Sequence, residues 1–254
     1  MGSPSQAECP KISVITVVRN GADTLEACAR SIMDQTYENL EWIVMDGGST
    51  DGTVEILRRH GGKIAFWASE QDSGTYDAMN KAVRHTTGDW ILFLGCDDTL
   101  SVDMKDVAPL LTDTGVIYYG DAYWRGMQRL YDGPFTAAKL ARTNICHQAI
   151  FYPHAVFEKY AFNLRYPLQA DWELNMRCFS DPAFRLQYIP VQVSVYNDLY
   201  GLSSTRRDWA IENDYITLLW CHFPWHIALW RTAIAVGGRW LHRLGWRGGV
   251  IHES

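Results

Sequence analysis

Between residues 12 and 98 the chain alternates four times between a short apolar run and, after each of the first three, a segment of helical spacing, and few architectures accept that rhythm. Ile12-Ser13-Val14-Ile15-Thr16-Val17-Val18 is too apolar on both faces for a surface strand and predicts one buried in a parallel sheet. Leu25, Cys28, Ala29, Ile32 and Met33 follow at helical spacing behind Asp23-Thr24, which can cap. Glu41 to Met45 predicts a second strand, running into the turn Asp46-Gly47-Gly48-Ser49-Thr50-Asp51-Gly52-Thr53 and a helix through Val54, Ile56 and Leu57. Ile64 to Trp67 predicts the third strand and Tyr76 to Arg84 the third helix. Trp90 to Leu94 predicts the fourth strand, closed by Gly95-Cys96-Asp97-Asp98. The expectation is an α/β fold, Rossmann-like, with a mostly parallel, doubly wound central sheet flanked by helices.

After Asp98 a helix is predicted near 104–112, a hairpin from Val116–Trp124 and Gln128–Tyr131, and a helix over 207–222. No Pro/Ser-rich linker interrupts the chain, so the second half should complete the same sheet. The expected organisation is a lead-in without fixed structure at 1–10, a catalytic domain at 11–222 with halves 11–100 and 101–222, and an amphipathic tail at 223–254. Residues 222–254 carry a charge of +3 against −9 for the rest, and five of the eleven Trp fall in the last 35 residues. An acidic body with basic charge confined to a tail argues against a nucleic-acid binder. The six Cys form no C-x-x-C pair, which fits neither a zinc site nor a disulfide framework and points to a reducing cytosol. The tail's apolar stretches fall short of the roughly 18–20 residues needed to span a bilayer. Interleaved Trp and Arg suit the inner face of the cytoplasmic membrane, bound peripherally; a Trp-rich core or a contact between copies in a homo-oligomer is the competing use.

Acidic residues collect where the predicted strands end: Asp46 after the second, Glu70 and Asp72 after the third, Asp97 and Asp98 after the fourth. In open α/β sheets the ligand crevice lies beyond these ends. Such a rim repels itself unless a cation or hydrogen-bond donors join it. Hard oxygen ligands suit Mg or Mn carrying a phosphorylated ligand, although any one of these Asp could serve a turn or cap. No G-x-G-x-x-G follows the first strand and no P-loop is present, which removes the main support for dinucleotide oxidoreductase and P-loop readings.

Four blocks in series carry a resemblance: Val17-Val18-Arg19-Asn20, Val44 to Thr53, Ser69 to Lys81, and Phe93-Leu94-Gly95-Cys96-Asp97-Asp98. In order and spacing they resemble the family 2 glycosyltransferases. Asn144 to Tyr152 and Gln169 to Leu174 extend the likeness toward bacterial enzymes of surface-polysaccharide and glycolipid assembly. The resemblance implies a GT-A fold and inverting transfer from a nucleotide sugar, UDP- or dTDP-linked by preference, to a lipid-linked or glycan acceptor. It places Asp46 on the donor's base, Val17, Arg19, Asn20 and Gly47 around the nucleotide, Asp72 by the ribose or diphosphate, and Tyr76 and Asn80 among the substrate-binding residues. Asp97 and Asp98 stand at the D-x-D-type motif for a divalent metal, Mn or Mg, with Asp98 ahead of Asp97 as direct ligand. Gly95 departs from the pattern, because many members carry an acidic or amide residue there. Asp171 matches the general base, with Glu173 as its backup and helix capping as its alternative duty.

His147 is assigned a secondary diphosphate or metal contact, against an ordinary structural role. Gly201 to Arg207 could close over the donor with Arg206 meeting phosphate, or be a solvated basic turn. Two other functions stay open: a sugar-phosphate nucleotidyltransferase, for which only Arg19-Asn20-Gly21 stands in place of a Gly-rich loop, and a non-catalytic sugar-binding subunit.

Overall fold

Successive side chains of a strand point to opposite faces, and in the first strand both faces are covered. The computed structural model describes residues 9–199 and 207–243, the last six by backbone alone. Strand β1 (Ile12–Val18) leads through α1 (Ala22–Met33) to β2 (Leu40–Asp46), α2 (Thr53–His60), β3 (Phe66–Ser69), α3 (Thr75–Val83) and β4 (Trp90–Phe93). Ile15, Ile43 and Phe93 enter one core, while Val14, Trp42 and Leu92 enter the other, all fully or nearly fully buried. That two-sided burial is why these runs are apolar throughout rather than alternating.

Beyond β4 come β5 (Thr99–Leu100), α4 (Met104–Val107), β6 (Val116–Trp124), β7 (Arg129–Tyr131), α5 (Ala137–Leu140), β8 (Ile150–Pro153), α6 (His154–Lys159), α7 (Ala170–Ser180) and β9 (Arg185–Tyr196). Two further helices follow, α8 (Trp209–His222) and α9 (Trp225–Arg243). Among the described residues the strands form one sheet in the order β3-β2-β1-β4-β8-β6-β9-β5, with β7 paired to β6. The first four strands are parallel; β8 runs antiparallel to β4 and β6, and β9 runs parallel to β6 and antiparallel to β5. The second half therefore completes the first half's sheet, and the α/β expectation holds. Parallel register sets Val18, Asp46 and Ser69 level at one rim.

Local departures have local causes. The third strand starts at Phe66, two residues later than expected, and Ile64 reaches the core from the preceding connection. The helix expected to 112 stops at Val107 and tightens into a 3-10 turn at Ala108–Leu110, where Pro109 has no N–H to continue the ladder. At Gly120 an added Cβ would lie 2.3 Å from the Val191 carbonyl oxygen. A glycine there lets β9 bulge over β6 and still return to register at Ala122–Ser194.

The described part of the tail is helical through Gly237-Gly238, and its outer side is apolar. Trp225 (69% exposed), Leu229, Trp230 (52%), Ile234 and Val236 face away from the body, while Ala228 is buried. Arg231 turns inward instead, donating from Nε and Nη2 to the Tyr215 hydroxyl at 3.1 and 3.0 Å. No described helix is long and apolar enough to cross a membrane.

Asp208 ties this helical end to the site. Its Oδ1 caps α8 by accepting from Ala210 and Ile211 N–H groups, and its Oδ2 accepts from Leu168 and Gln169 N–H groups just ahead of α7. Four backbone donors thus depend on one buried carboxylate. Asp208→Ala should lower the unfolding free energy by about 2 kcal/mol, measured by urea denaturation, because the cap and the α7 entry are lost together.

Candidate active site

Asp46 ends β2 fully buried, so its carboxylate must be met by donors. The backbone N–H groups of Gly48 and Ser49 reach its Oδ2 at 3.2 and 3.0 Å, the Ser69 hydroxyl donates to Oδ2 at 2.5 Å, and the Ser49 hydroxyl donates to Oδ1. Asn20, at φ 53°, lies in the left-handed region that Asn tolerates better than most residues. Its N–H donates to Ser49 Oγ and its Oδ1 accepts from the Thr50 N–H, which locks the loop after β1 onto the loop after β2. Arg19 is exposed beside them. At Gly47 side chains from the loop after β1 and the loop after β3 crowd in: a Cβ would lie 2.4 Å from Asp72 Oδ2 and 3.4 Å from Arg19 Cβ. Val17, Arg19, Asn20, Asp46, Gly47 and Asp72 are therefore gathered at one rim. A cavity of about 670 Å³ opens behind Asp46, lined by Ser49, Arg58, Trp67 and Ser69 among others, and reaches none of Asp97, Asp98 and Asp171.

Asp97 and Asp98 follow β4 at the adjoining strand end. Asp98 is 2% exposed, and both its oxygens are held: Oδ2 accepts from Gln148 Nε2 at 2.9 Å and Oδ1 from the Asn197 N–H at 2.8 Å. Burial, with the neighbouring Asp97 charge, pushes its pKa up to about 7; burial also raises that of Asp97, which is the more open of the two. Gly95 has a structural account. A Cβ there would lie 2.6 Å from Asp98 Oδ2 and 3.0 Å from Asp97 Oδ1, so the two carboxylates already fill the place of a larger side chain. Two convergent carboxyls, both destabilised as anions, fit a divalent cation that takes one or two carboxylates plus substrate phosphates. No group of three or more His, Cys, Asp or Glu suited to holding a metal occurs among the described residues, so diphosphate or water would complete the shell.

Asp171 sits in the first turn of α7, which begins one residue before it; Gln169 takes the N-cap position, so capping is not its duty. Its Oδ1 accepts from Tyr76 Oη at 2.7 Å, its Oδ2 accepts from Asn144 Nδ2 at 2.7 Å, and His147 Nδ1 lies 3.0 Å from Oδ2. Behind it, Asn175 Nδ2 donates to Asn144 Oδ1 and Tyr152 Oη to Asn175 Oδ1, each at 2.8 Å. Burial and the Asp171 charge hold the Tyr76 pKa well above its ordinary value, so the phenol stays a donor. His147 is also close enough to Asp97 and Asp98 to interact with them electrostatically, and thus stands between the two acidic groups.

Some expected residues do not join this site. Glu173, two positions beyond Asp171, is rotated by about 200° around the helix. It pairs instead with Arg177 at 2.8 Å, on another side of the helix from Asp171, and burial raises its pKa. Asn80 clamps the backbone of Phe162 with both its amide atoms at 2.9 Å, a structural duty. Tyr76 does join it, but through Asp171: it is buried and donates to that carboxylate. Arg206 and the loop at 201–206 lie outside the described residues. Asn144, Gln148 and Asn175 were not singled out by sequence reasoning; an amide carries no signal until its partner is known, although Asn144 and Gln148 lie in one of the blocks of resemblance.

The Gly47 contact is with the end of a side chain and not with backbone. Gly47→Ala should leave urea stability within about 1 kcal/mol of wild type but displace the Asp72 side chain, seen as shifted amide resonances of Asp72 to Gly74, whose N–H bonds to Asp72.

Comparison with known proteins places the chain. Residues 13–170 match the family model described as Glycosyl transferase family 2. The PGL/p-HBAD biosynthesis glycosyltransferase of Mycobacterium tuberculosis is 40% identical over 208 residues, covering 78% of this chain and 81% of that relative. Among solved structures, S. aureus TarS in complex with UDP-GlcNAc superposes with a TM-score of 0.62 at 16% identity, over 82% of this chain and 64% of that one. The mannosyltransferase PcManGT from Pyrobaculum calidifontis, in complex with GDP-Man and Mn2+, gives 0.62 at 22% identity, over 87% and 65%. This chain thus spans a little under two thirds of each of those structures. The sheet order, the acidic rim and the match over 158 residues agree: the chain belongs to glycosyl transferase family 2, an enzyme with the GT-A fold.

Proposed function

We propose that this enzyme is an inverting glycosyltransferase that moves a sugar from a nucleoside diphosphate donor, UDP- or dTDP-linked by preference, to a hydroxyl of a lipid-linked or glycan acceptor. The observation that carries it is the placement of Asp171, with Tyr76, Asn144 and His147 as side-chain partners, and of His147 in turn beside the Asp97–Asp98 pair. The complexes of TarS with UDP-GlcNAc and of the mannosyltransferase with GDP-Man and Mn2+ support a nucleotide sugar and a divalent cation by similarity.

In this mechanism Asp46 and the loops at Asn20 and Gly47 take the nucleotide. Asp97 and Asp98 would hold a divalent cation: Asp97 offers the freer carboxylate, and Asp98 is fixed by Gln148 and Asn197. A divalent ion bound there supplies neutralisation of the charge that gathers on the departing diphosphate. Asp171 drives deprotonation of the acceptor hydroxyl as it attacks the anomeric carbon from the face opposite the diphosphate. Tyr76 and Asn144 hold that carboxylate in place by donating to its two oxygens.

A thermal-shift screen of nucleotide sugars with Mn or Mg should identify the donor through stabilisation by mass action. With that donor, release of nucleoside diphosphate should fall by about 10²-fold or more in Asp171→Asn while donor affinity stays within about threefold. Pyrophosphate release from a sugar phosphate and a nucleoside triphosphate would point to a nucleotidyltransferase instead.

The tail belongs to the same proposal. The outward apolar stripe of α9 and the +3 charge of residues 222–254 support docking on an anionic membrane surface at the cytoplasmic face, where a lipid-linked acceptor would lie. The wild type should sediment with phosphatidylglycerol vesicles, and a Trp225→Ser, Leu229→Ser, Trp230→Ser variant should remain in the supernatant. Dimerisation in solution that the same variant abolishes, without vesicle binding, would assign the stripe to a second copy.

A further inference from the structure

Antiparallel pairing of β5 with β9 sets Thr99 opposite Val195 and Leu100 opposite Ser194. Asp98 and Asp97 therefore lie just beyond one strand where Tyr196 and Asn197 continue the other. The Asn197 N–H donates to Asp98 Oδ1 at 2.8 Å. Its side-chain oxygen is four bonds from that nitrogen, which keeps Oδ1 within about 7 Å of the Asp98 carboxylate. Asn197 is 8% exposed, and its Oδ1 is buried with no hydrogen-bond partner. The other buried side-chain atoms without a partner among the described residues are N–H donors and one serine hydroxyl, which can turn either way. An amide oxygen can only accept. The second amide at Asp98 differs in this respect, because Gln148 donates from Nε2 to Asp98 Oδ2 while its Oε1 accepts from Cys146 Sγ at 3.0 Å. A carbonyl oxygen taken out of water beside carboxylates, with no N–H or O–H directed at it, lacks a positive partner.

We propose that Asn197 Oδ1 is a third protein oxygen of the divalent-cation site, beside the carboxylates of Asp97 and Asp98. The inference rests on the reading of those two carboxylates as the groups that hold a cation, and it adds a residue to them. The donor set is chemically consistent. Carboxylate and carbonyl oxygens are the hard ligands that suit magnesium and manganese. A neutral amide contributes a ligand without bringing a third negative charge to a rim where two carboxylates already adjoin. It also joins the two halves of the sheet at the cation: the acids follow β4, and Asn197 follows β9, 99 residues after Asp98. Three protein oxygens leave positions for phosphate oxygens on a six-coordinate ion. The backbone N–H of Asn197 anchors Asp98 whatever side chain the residue carries, so substitution separates the anchor from the ligand.

Mn2+ binding to the full chain tests this, followed by the electron paramagnetic resonance signal of free Mn2+ with and without uridine diphosphate. Asn197→Leu keeps the shape of the amide without its oxygen and should bind Mn2+ about tenfold or more weakly than wild type. Asn197→Asp puts an oxygen back and should bind within about threefold of wild type, or more tightly. Melting temperatures supply a readout of opposite sign. In the presence of a chelator Asn197→Leu should melt no lower than wild type, because no bonded partner is lost, whereas the rise that Mn2+ gives wild type should shrink in the variant. A side chain that only packs would lower the metal-free melting temperature, and Asn197→Asp would not recover Mn2+ binding; that pair of results overturns the inference. So does Mn2+ binding by Asn197→Leu within about twofold of wild type while Asp97→Ala loses it, which would leave the two carboxylates as the whole protein share of the site. If wild type takes up no Mn2+ with or without uridine diphosphate, the cation reading itself fails and this inference falls with it.

Discussion

The carboxylate of Asp98 holds together parts of the chain that sequence separates by 50 and 99 residues, through Gln148 Nε2 and the Asn197 N–H. It is the point at which the parallel first half of the sheet is fastened to the mixed second half at the level of the active site. The fastening is electrostatically awkward. A carboxylate 2% exposed, next to a second carboxylate and without a cationic side chain bonded to it, has its pKa pushed up to about 7. Two hydrogen bonds lessen that cost and do not remove it. Such a pair at a strand end leaves room for compensation by a ligand, and a divalent cation held by Asp97 and Asp98 would supply charge of the right sign.

Asp171 illustrates the complementary design. It is also buried, though less completely, and surrounded by donors, and a second layer of amides and a tyrosine stands behind those donors. One acidic centre is therefore under-compensated and the other fully satisfied, with His147 between them. Such a contrast suits two different tasks at one site, holding a cation and handling a proton. The same logic separates Glu173 from Asp171 despite their closeness in sequence. The helix turns Glu173 onto Arg177, where an ion pair absorbs its charge.

Much of the fold was legible in the residues. The β-branched run at 12–18 and the mainly apolar stretch at 42–45 put apolar side chains on both faces, and both faces are covered. The acidic residues at strand ends share a rim because parallel strands share a direction. The tail's Trp and Arg pattern was readable as amphipathic, yet not which side faces out. That depended on Ala228 and Arg231 fitting against α8, with Trp225, Leu229 and Trp230 left outside. Asn80 and Tyr76 sat in a block typical of the family, but their partners, the Phe162 backbone and Asp171, lie 82 and 95 residues away.

The sequence by itself determined the class of fold, the family, and the set of carboxylates from which a site could be made, because strand periodicity, turn chemistry and motif spacing are local properties of the chain. Tertiary structure decided which of those carboxylates are anchored, which is open, and which faces the imidazole. Those outcomes depend on desolvation and on donors that arrive from other strands and helices. Neither burial nor the direction of a hydrogen bond is written at the position of the residue that experiences it.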